Sequence, residues 1–398
     1  MKKLVLSLSI VALFLGSCSS DNEDISTQPL PTGTISGDIT TAKSFPKGNY
    51  TIQGTVKVKN GGSLTIEAGS VITATVGDGT PDALLVENGG KLFLNGTAAL
   101  PIVFTETSKT PGSWGGIIMF GDAPIVGANG VTTATSEDGN NLPYGGTNAA
   151  HNGGSLKYVR VEYAGKKLTD NTSEMNGFSF YSVGSGTVLE NLVAYKGADD
   201  GFEFYGGTVS AKNLISFGNF DDSFDWQDGW RGEANTNWYA YQVGTGNYGM
   251  EIEAKAVNNA FGPKVSNITL TRAPGTVTEG GSSANEFDAI QFKKDGNGEY
   301  SNVVISGYTT TNATLTATAV RIQDKATNDN QVNGGVEKIG KIKMLNVKIN
   351  DGTSQYAGVG TTFTVTFPTA NFTTSTTATG ATLTAGAWAI VDGVSLIK

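Results

Sequence analysis

Asn191-Leu192-Val193-Ala194-Tyr195, followed by Asp199-Asp200-Gly201-Phe202-Glu203-Phe204, recurs 22 residues later as residues 213–217 and then Asp221-Asp222-Ser223-Phe224-Asp225-Trp226. A repeat of this kind constrains a fold more than local propensity does, because each unit must bury its apolar face against the next. A looser copy, Asn176-Gly177-Phe178-Ser179-Phe180-Tyr181, precedes these two, after an insertion around residues 166–175. Nearer the start, Val58-Lys59-Asn60-Gly61-Gly62-Ser63-Leu64-Thr65-Ile66 is echoed 28 residues on by Val86-Glu87-Asn88-Gly89-Gly90-Lys91-Leu92-Phe93-Leu94. Asn before an aliphatic residue returns at Asn267-Ile268, Asn302-Val303 and Asn346-Val347, each time opening a short alternating segment. Short period-2 segments, Gly/Asn/Asp corners and no helical period predict an all-β chain, a right-handed parallel β-helix. The Asn positions are expected to stack at one corner of successive coils, amide to amide. A β-sandwich would instead space its strands about 8–12 residues apart, with hairpin dipeptides between them.

Composition removes other classes. Glycine supplies 54 of 398 residues, roughly twice ordinary usage, while one Cys and one His exclude a disulfide scaffold and a thiolate-rich metal site. The only long apolar run is residues 4–15, behind Lys2 and Lys3. It has signal-peptide length and falls short of the about 20 residues that span a bilayer. It ends in Leu15-Gly16-Ser17-Cys18, which resembles a bacterial lipobox, so residues 1–17 are expected to be cleaved and Cys18 lipidated. Ser19-Ser20-Asp21-Asn22-Glu23-Asp24 resembles the export tag of lipoproteins that face outward from the outer membrane. Residues 18–34 are expected to form an acidic tether and 35–398 a single β-helix domain, with about 355–398 as degenerate coils or a cap. Without residues 1–17 the chain has 25 basic and 36 acidic side chains, a net charge near −11. Such a surface repels phosphate backbones, which argues against nucleic acid as a partner.

Several segments together are similar to a family of bacterial surface lipoproteins with the right-handed, pectate-lyase-like β-helix. They are Gly62-Ser63-Leu64-Thr65-Ile66-Glu67-Ala68-Gly69, Pro101-Ile102-Val103-Phe104-Thr105, Trp114-Gly115-Gly116-Ile117, Ala198-Asp199-Asp200-Gly201-Phe202-Glu203-Phe204-Tyr205-Gly206-Gly207, Asp221-Asp222-Ser223-Phe224-Asp225 and Gly229-Trp230-Arg231-Gly232. The resemblance covers residues 50–350 or so. It implies the fold, and implies little about activity, since members of that group mostly lack a defined reaction.

Aligning the two 22-residue copies sets Asp199 over Asp221, Asp200 over Asp222 and Glu203 over Asp225, about 4.8 Å apart in stacked coils. Phe202, Phe204, Phe224 and Trp226 should point inward, so Glu203 and Asp225 point outward. Six carboxylates then share one strip of surface, with Asp228 close by. Like charges so close raise each other's pKa or recruit a cation, and oxygen-only ligands suit Ca²⁺. The alternative is that Asp199, Asp200, Asp221 and Asp222 cap turn amides. Trp226, Trp230 and Trp238, with Asp228 and Arg231 beside them, are the candidate ligand-binding residues: some of the aromatics must be core or stacking residues within the coil, and exposed ones would form a platform for sugar rings. For a lyase, Arg231 and Lys196 are the candidate bases, with Lys255 a third available cation; for a glycoside hydrolase, the paired aspartates would serve. The single histidine, His151, lies in a Gly/Asn loop away from the acids. The expected function is non-catalytic binding of an extracellular ligand, a glycan. The alternatives are a Ca²⁺-dependent polysaccharide lyase or glycoside hydrolase, and a purely structural or adhesive surface protein.

Overall fold

In the strand Val188–Tyr195 the chain bends sharply at Asn191, so that residues 188–190 and 192–195 belong to different faces of one coil. Strand Phe202–Tyr205 forms the third face, and Ala211–Phe217 begins the next coil in register, Leu189 on Ala211 and Leu192 on Leu214. The computed structural model describes residues 29–75, 81–168, 174–255, 262–279, 286–309, 317–334, 341–359 and 363–398. The expected signal peptide, Cys18 and most of the tether lie outside the described residues. Pro31–Lys398 forms one unit, from Thr32–Ile39 to Phe372–Thr374 built of strands paired in parallel with the coils before and after them. The fold is a right-handed parallel β-helix with three faces, called here the first, second and third sheets in the order the chain visits them. Among the described residues no helix is long and apolar enough to cross a membrane.

The Asn corners are where the repeat places them. Asn191, Asn213, Asn237, Asn267, Asn302 and Asn346 have φ between 53° and 59°, a left-handed conformation that Asn tolerates better than most residues. Asn213 donates to the Asn191 amide oxygen at 3.0 Å, Asn237 to Asn213 at 3.0 Å and Asn302 to Asn267 at 2.7 Å. Between Asn237 and Asn267 the ladder is interrupted, and Asn267 donates to Thr236 Oγ1 instead. Asn213→Ala removes two of these bonds and leaves a Cβ in the left-handed region. It should cost about 2 kcal/mol in denaturant unfolding, whereas Asn213→Gly, free of the steric part, should cost less.

Inward side chains stack coil on coil. Phe178 lies on Phe202 at 5.0 Å between centroids, Phe202 on Phe224 at 5.7 Å, and Phe204 on Trp230 at 4.5 Å. Trp226, Trp230 and Trp238 belong to this core, at 1%, 1% and 0% exposure. The inward direction expected of Trp226 holds, and the candidate sugar platform is corrected, because all three indoles fill the interior. Trp230 and Trp238 donate their ring N–H to the carbonyls of Val209 and Ala211, at 3.0 and 3.1 Å.

Two segments leave the coil path and cover it. A hairpin of Ala134–Thr135 and Pro143–Tyr144 brings Tyr144 onto the outward side chains of the third sheet, 5.1 Å from Tyr181 and 6.2 Å from Tyr205. At the other end, the part expected as degenerate coils or cap divides in two. Ser354–Gly358 and Phe372–Thr374 extend the third sheet and the first two sheets, with Tyr356, Phe367 and Phe372 clustered beneath. Residues 375–398 add no coil and return along the outer flank of the second sheet, from Asn302 back to Ala98.

Candidate functional site

The acids occupy the turn that enters the third sheet and the outer face of that sheet. Strand pairing sets Glu203 on Asp225 and Asp225 on Glu251, while Asp199-Asp200 and Asp221-Asp222 form successive copies of the turn. Alternation places Glu203 and Asp225 away from the core, as expected, yet Glu203 is only 5% exposed and Asp199 only 2%. The strip is a covered cluster. Asp221 and Asp225 are its half-buried members.

Within it the carboxylates converge twice. Oxygens of Asp199, Asp200 and Asp221 lie within 4.8 Å of one another, as do oxygens of Asp200, Glu203 and Asp225, so that Asp200 belongs to both groups. Turn capping accounts for part of the cluster. Asp200 Oδ1 accepts the Asp222 amide N–H at 2.8 Å, and Asp222 Oδ1 accepts that of Tyr248 at 2.6 Å. Asp221 accepts from the Asn247 side chain, whose own oxygen accepts the Glu279 amide. Glu203 accepts from Asn176, Tyr205 and Gln227. Capping does not account for Asp199 Oδ2 or Asp225 Oδ1, which are buried with no hydrogen-bond partner. Each converging group contains one residue that carries such an oxygen.

Burial, then repulsion from neighbouring acids, sets the electrostatics. Asp199, Asp200, Glu203, Asp222 and Asp225 are pushed well above the ordinary carboxylate range, first by desolvation and next by Asp221, Asp222, Asp225, Asp221 and Glu251 respectively. Asp221 is pushed up to about 7 by burial, then by Glu279 and Glu251. Around neutral pH the cluster must hold protons or bind a cation. The neighbouring lysines are committed elsewhere. Lys293 pairs with Glu251, Lys294 with Glu253 at 2.8 Å, and Lys255 faces Asp228 at 3.5 Å. Burial lowers the Lys293 pKa, but Glu251, Asp225 and Glu253 outweigh it and hold the ammonium well above its usual value.

The remaining sequence candidates are dispersed. Asp228 is buried and accepts from the Tyr144 hydroxyl, which ties the hairpin down. Arg231 lies at the opposite end of strand Phe224–Gln227 from the acid turns, with its amide on the Gly207 carbonyl. Lys196 sets its ammonium 5.2 Å from the Tyr195 ring, on the second-sheet flank. His151 is buried, and its Nδ1 accepts the Gly184 amide. Glu251, Glu253 and Lys293 are members of the site that the repeat alignment missed. The signal was present: Met250-Glu251-Ile252-Glu253 and Ile290-Gln291-Phe292-Lys293 keep the four-residue frame of Phe224-Asp225-Trp226-Gln227, displaced by longer turns.

A family model described as a pectate-lyase like beta helix domain matches residues 33–390. No curated protein and no solved structure matches the chain.

Proposed function

The chain belongs to the pectate-lyase-like β-helix family, and on that footing we propose that it is a lipid-anchored protein of the outer membrane, facing the exterior. There it holds an extracellular glycan without turning it over, through Ca²⁺ seated in the acid cluster. The observation that carries this is the pair of buried, unpartnered oxygens, Asp199 Oδ2 and Asp225 Oδ1, one in each converging group of carboxylates. A buried carboxylate oxygen without a donor costs on the order of 1–3 kcal/mol, and a cation removes that cost for several acids together. The donor set is oxygen only, the chemistry of a hard cation. Asp199, Asp200 and Asp221, or Asp200, Glu203 and Asp225, would hold the ion. Bound there, it would supply positive charge that attracts hydroxyl and carboxylate edges of a sugar. Asp221 and Asp225, being half-buried, place the outer rim of the cluster within reach of such a ligand. With the tryptophans in the core, polar edges carry the recognition.

Lys293 argues for binding over elimination chemistry. A lyase base must be deprotonated and free to reach its substrate, whereas the Lys293 ammonium is paired with Glu251 and lies 3.7 Å from Glu253. Immobilised glycans, probed in Ca²⁺ and in chelator and scored for both retention and product release, test the proposal. Retention that chelator abolishes, with no product, is expected. Released product would transfer the site to the lyase or hydrolase alternative, and absence of retention in both buffers would overturn glycan binding.

A further inference from the structure

We propose that His151 is a pH-sensitive latch: as a neutral ring it seats the loop 145–153 against the coils, and protonation releases that loop. The loop joins the covering hairpin, at Pro143–Tyr144, to the strand Gly154–Glu162. Thr147, Asn148, Ala149, Ala150 and Asn152 are exposed, and His151 alone of residues 147–152 turns inward, to 5% exposure. Glycine backbone walls its seat. A Cβ at Gly121 would lie 2.6 Å from the imidazole Nδ1, and one at Gly184 would lie 2.6 Å from the His151 Cβ. Backbone bonds continue the loop's attachment, from the Asn148 N–H to the Asp122 carbonyl at 2.9 Å and from the Gly186 N–H to the His151 carbonyl at 3.1 Å.

Nδ1 accepts the Gly184 amide N–H at 3.4 Å, so the neutral ring carries its proton on Nε2. Nε2 itself is buried with no hydrogen-bond partner. A second proton turns Nδ1 into a donor and sets two N–H groups against each other across that contact. The charged ring in its seat therefore loses one bond and leaves the other N–H unpartnered, whereas water solvates both. The charged groups that face it are Asp122, just past strand Ile117–Phe120, and Lys91, which opens strand Lys91–Asn95. The turns 182–187 and 206–209, which also touch the loop, carry no charged or titratable side chain, and the loop carries none besides His151. Burial holds the ring below its ordinary pKa, against Asp122, which favours the imidazolium, and together with Lys91, which disfavours it. The latch is thus complete above about pH 6.5 and weakens as pH falls, by at most about tenfold per unit in the closing equilibrium. Its sign is opposite to that of the acid cluster. Tyr144 keeps its own bond to Asp228, so release is local and frees the trailing end of the hairpin.

Hydrogen exchange of the full-length chain at pH 8 and pH 5.5, corrected for the intrinsic rate, tests the latch. Protection of the peptide spanning 145–153 should fall about tenfold on acidification, while that of strand Lys264–Arg272, in a later coil, should not. His151→Asn sets a side-chain oxygen where Nδ1 accepts and does not titrate, so its loop should stay protected at both pH values. Equal protection of the parent loop at the two pH values overturns the latch. So does a fall of the same size in a His151→Asn protein whose loop is protected at pH 8. Where Asn does not seat the loop, the ring resonance of the chain's single histidine gives the second reading in the parent. It should titrate with a midpoint below about 6.5, and a midpoint above that value overturns the proposal.

Discussion

Trp238→Ala is expected to destabilise the protein by about 3–5 kcal/mol, the range for removing a large buried aromatic. Trp238 is fully buried and packs on Phe224 at 4.8 Å, Phe204 at 5.8 Å and Trp230 at 5.9 Å. It thus bridges adjacent coils, and its ring N–H satisfies the Ala211 carbonyl. Truncation leaves a cavity between coils and removes the ring donor from the Ala211 carbonyl. In a solenoid, coupling between neighbouring repeats carries much of the stability, so a defect at one interface is felt by the whole stack. Trp238→Phe, which keeps most of the volume, should recover more than half of the loss in denaturant unfolding. A Trp238→Ala protein that unfolds like the parent but no longer retains glycan would instead return this residue to the ligand surface.

The corners and the directions of the acids were legible in the sequence, while their burial was not. Asn at the head of each alternating segment marks a left-handed corner because the residue type has a conformational reason to be there. Alternation from Phe202 and Phe224 then sends Glu203 and Asp225 outward without further information. Tyr158, Lys196 and Lys255 take the same left-handed backbone, at φ 51°, 51° and 60°, with no residue-type signal to announce it. What covers the acids comes from the 134–144 hairpin, which lies outside the repeat, and from Asn176 and Asn247 in the neighbouring coils, whose side chains no repeat position marks as covering. The sugar platform fails for a related reason. Carboxylates nearby suggested a ligand surface, yet Trp226 falls on the inward parity of its strand, and Trp230 and Trp238 reach the same interior from a turn and from a corner. The returning segment 375–398 was illegible because its contacts are mostly backbone to side chain, and the Thr/Gly/Ala run leading into it carries no periodicity.

The second large effect belongs to the acid cluster. Asp221 titrates near 7 in the folded chain against about 3.9 when unfolded, so the folded state binds its proton more tightly. The stabilising contribution is complete below about pH 4 and is lost as pH rises through about 7. For Asp221, whose rim is open to solvent, about 2 kcal/mol is expected, and Asp199, Asp200 and Glu203, also raised, act in the same direction. Calcium-free protein should therefore melt higher at pH 5 than at pH 8. Asn in place of Asp225 removes a charge facing Glu203 and Glu251 at an oxygen that has no donor to lose. Asn in place of Asp222 keeps an oxygen for the Tyr248 amide. The pair should raise the stability of calcium-free protein at pH 8 by about 1–2 kcal/mol.

Melting curves of the parent and of Asp222→Asn/Asp225→Asn, each at pH 8 in chelator and in millimolar Ca²⁺, address the cation site directly. Occupied carboxylates predict that Ca²⁺ raises the parent, by about 2.7 kcal/mol at a hundredfold excess over the dissociation constant. An ion held by Asp200, Glu203 and Asp225 also predicts a double variant that does not respond to Ca²⁺ and is the more stable of the two in chelator, whereas an ion held by Asp199, Asp200 and Asp221 leaves the variant responsive. Parent curves that coincide in both buffers would contradict the site and leave the acids held by protons and turn amides alone.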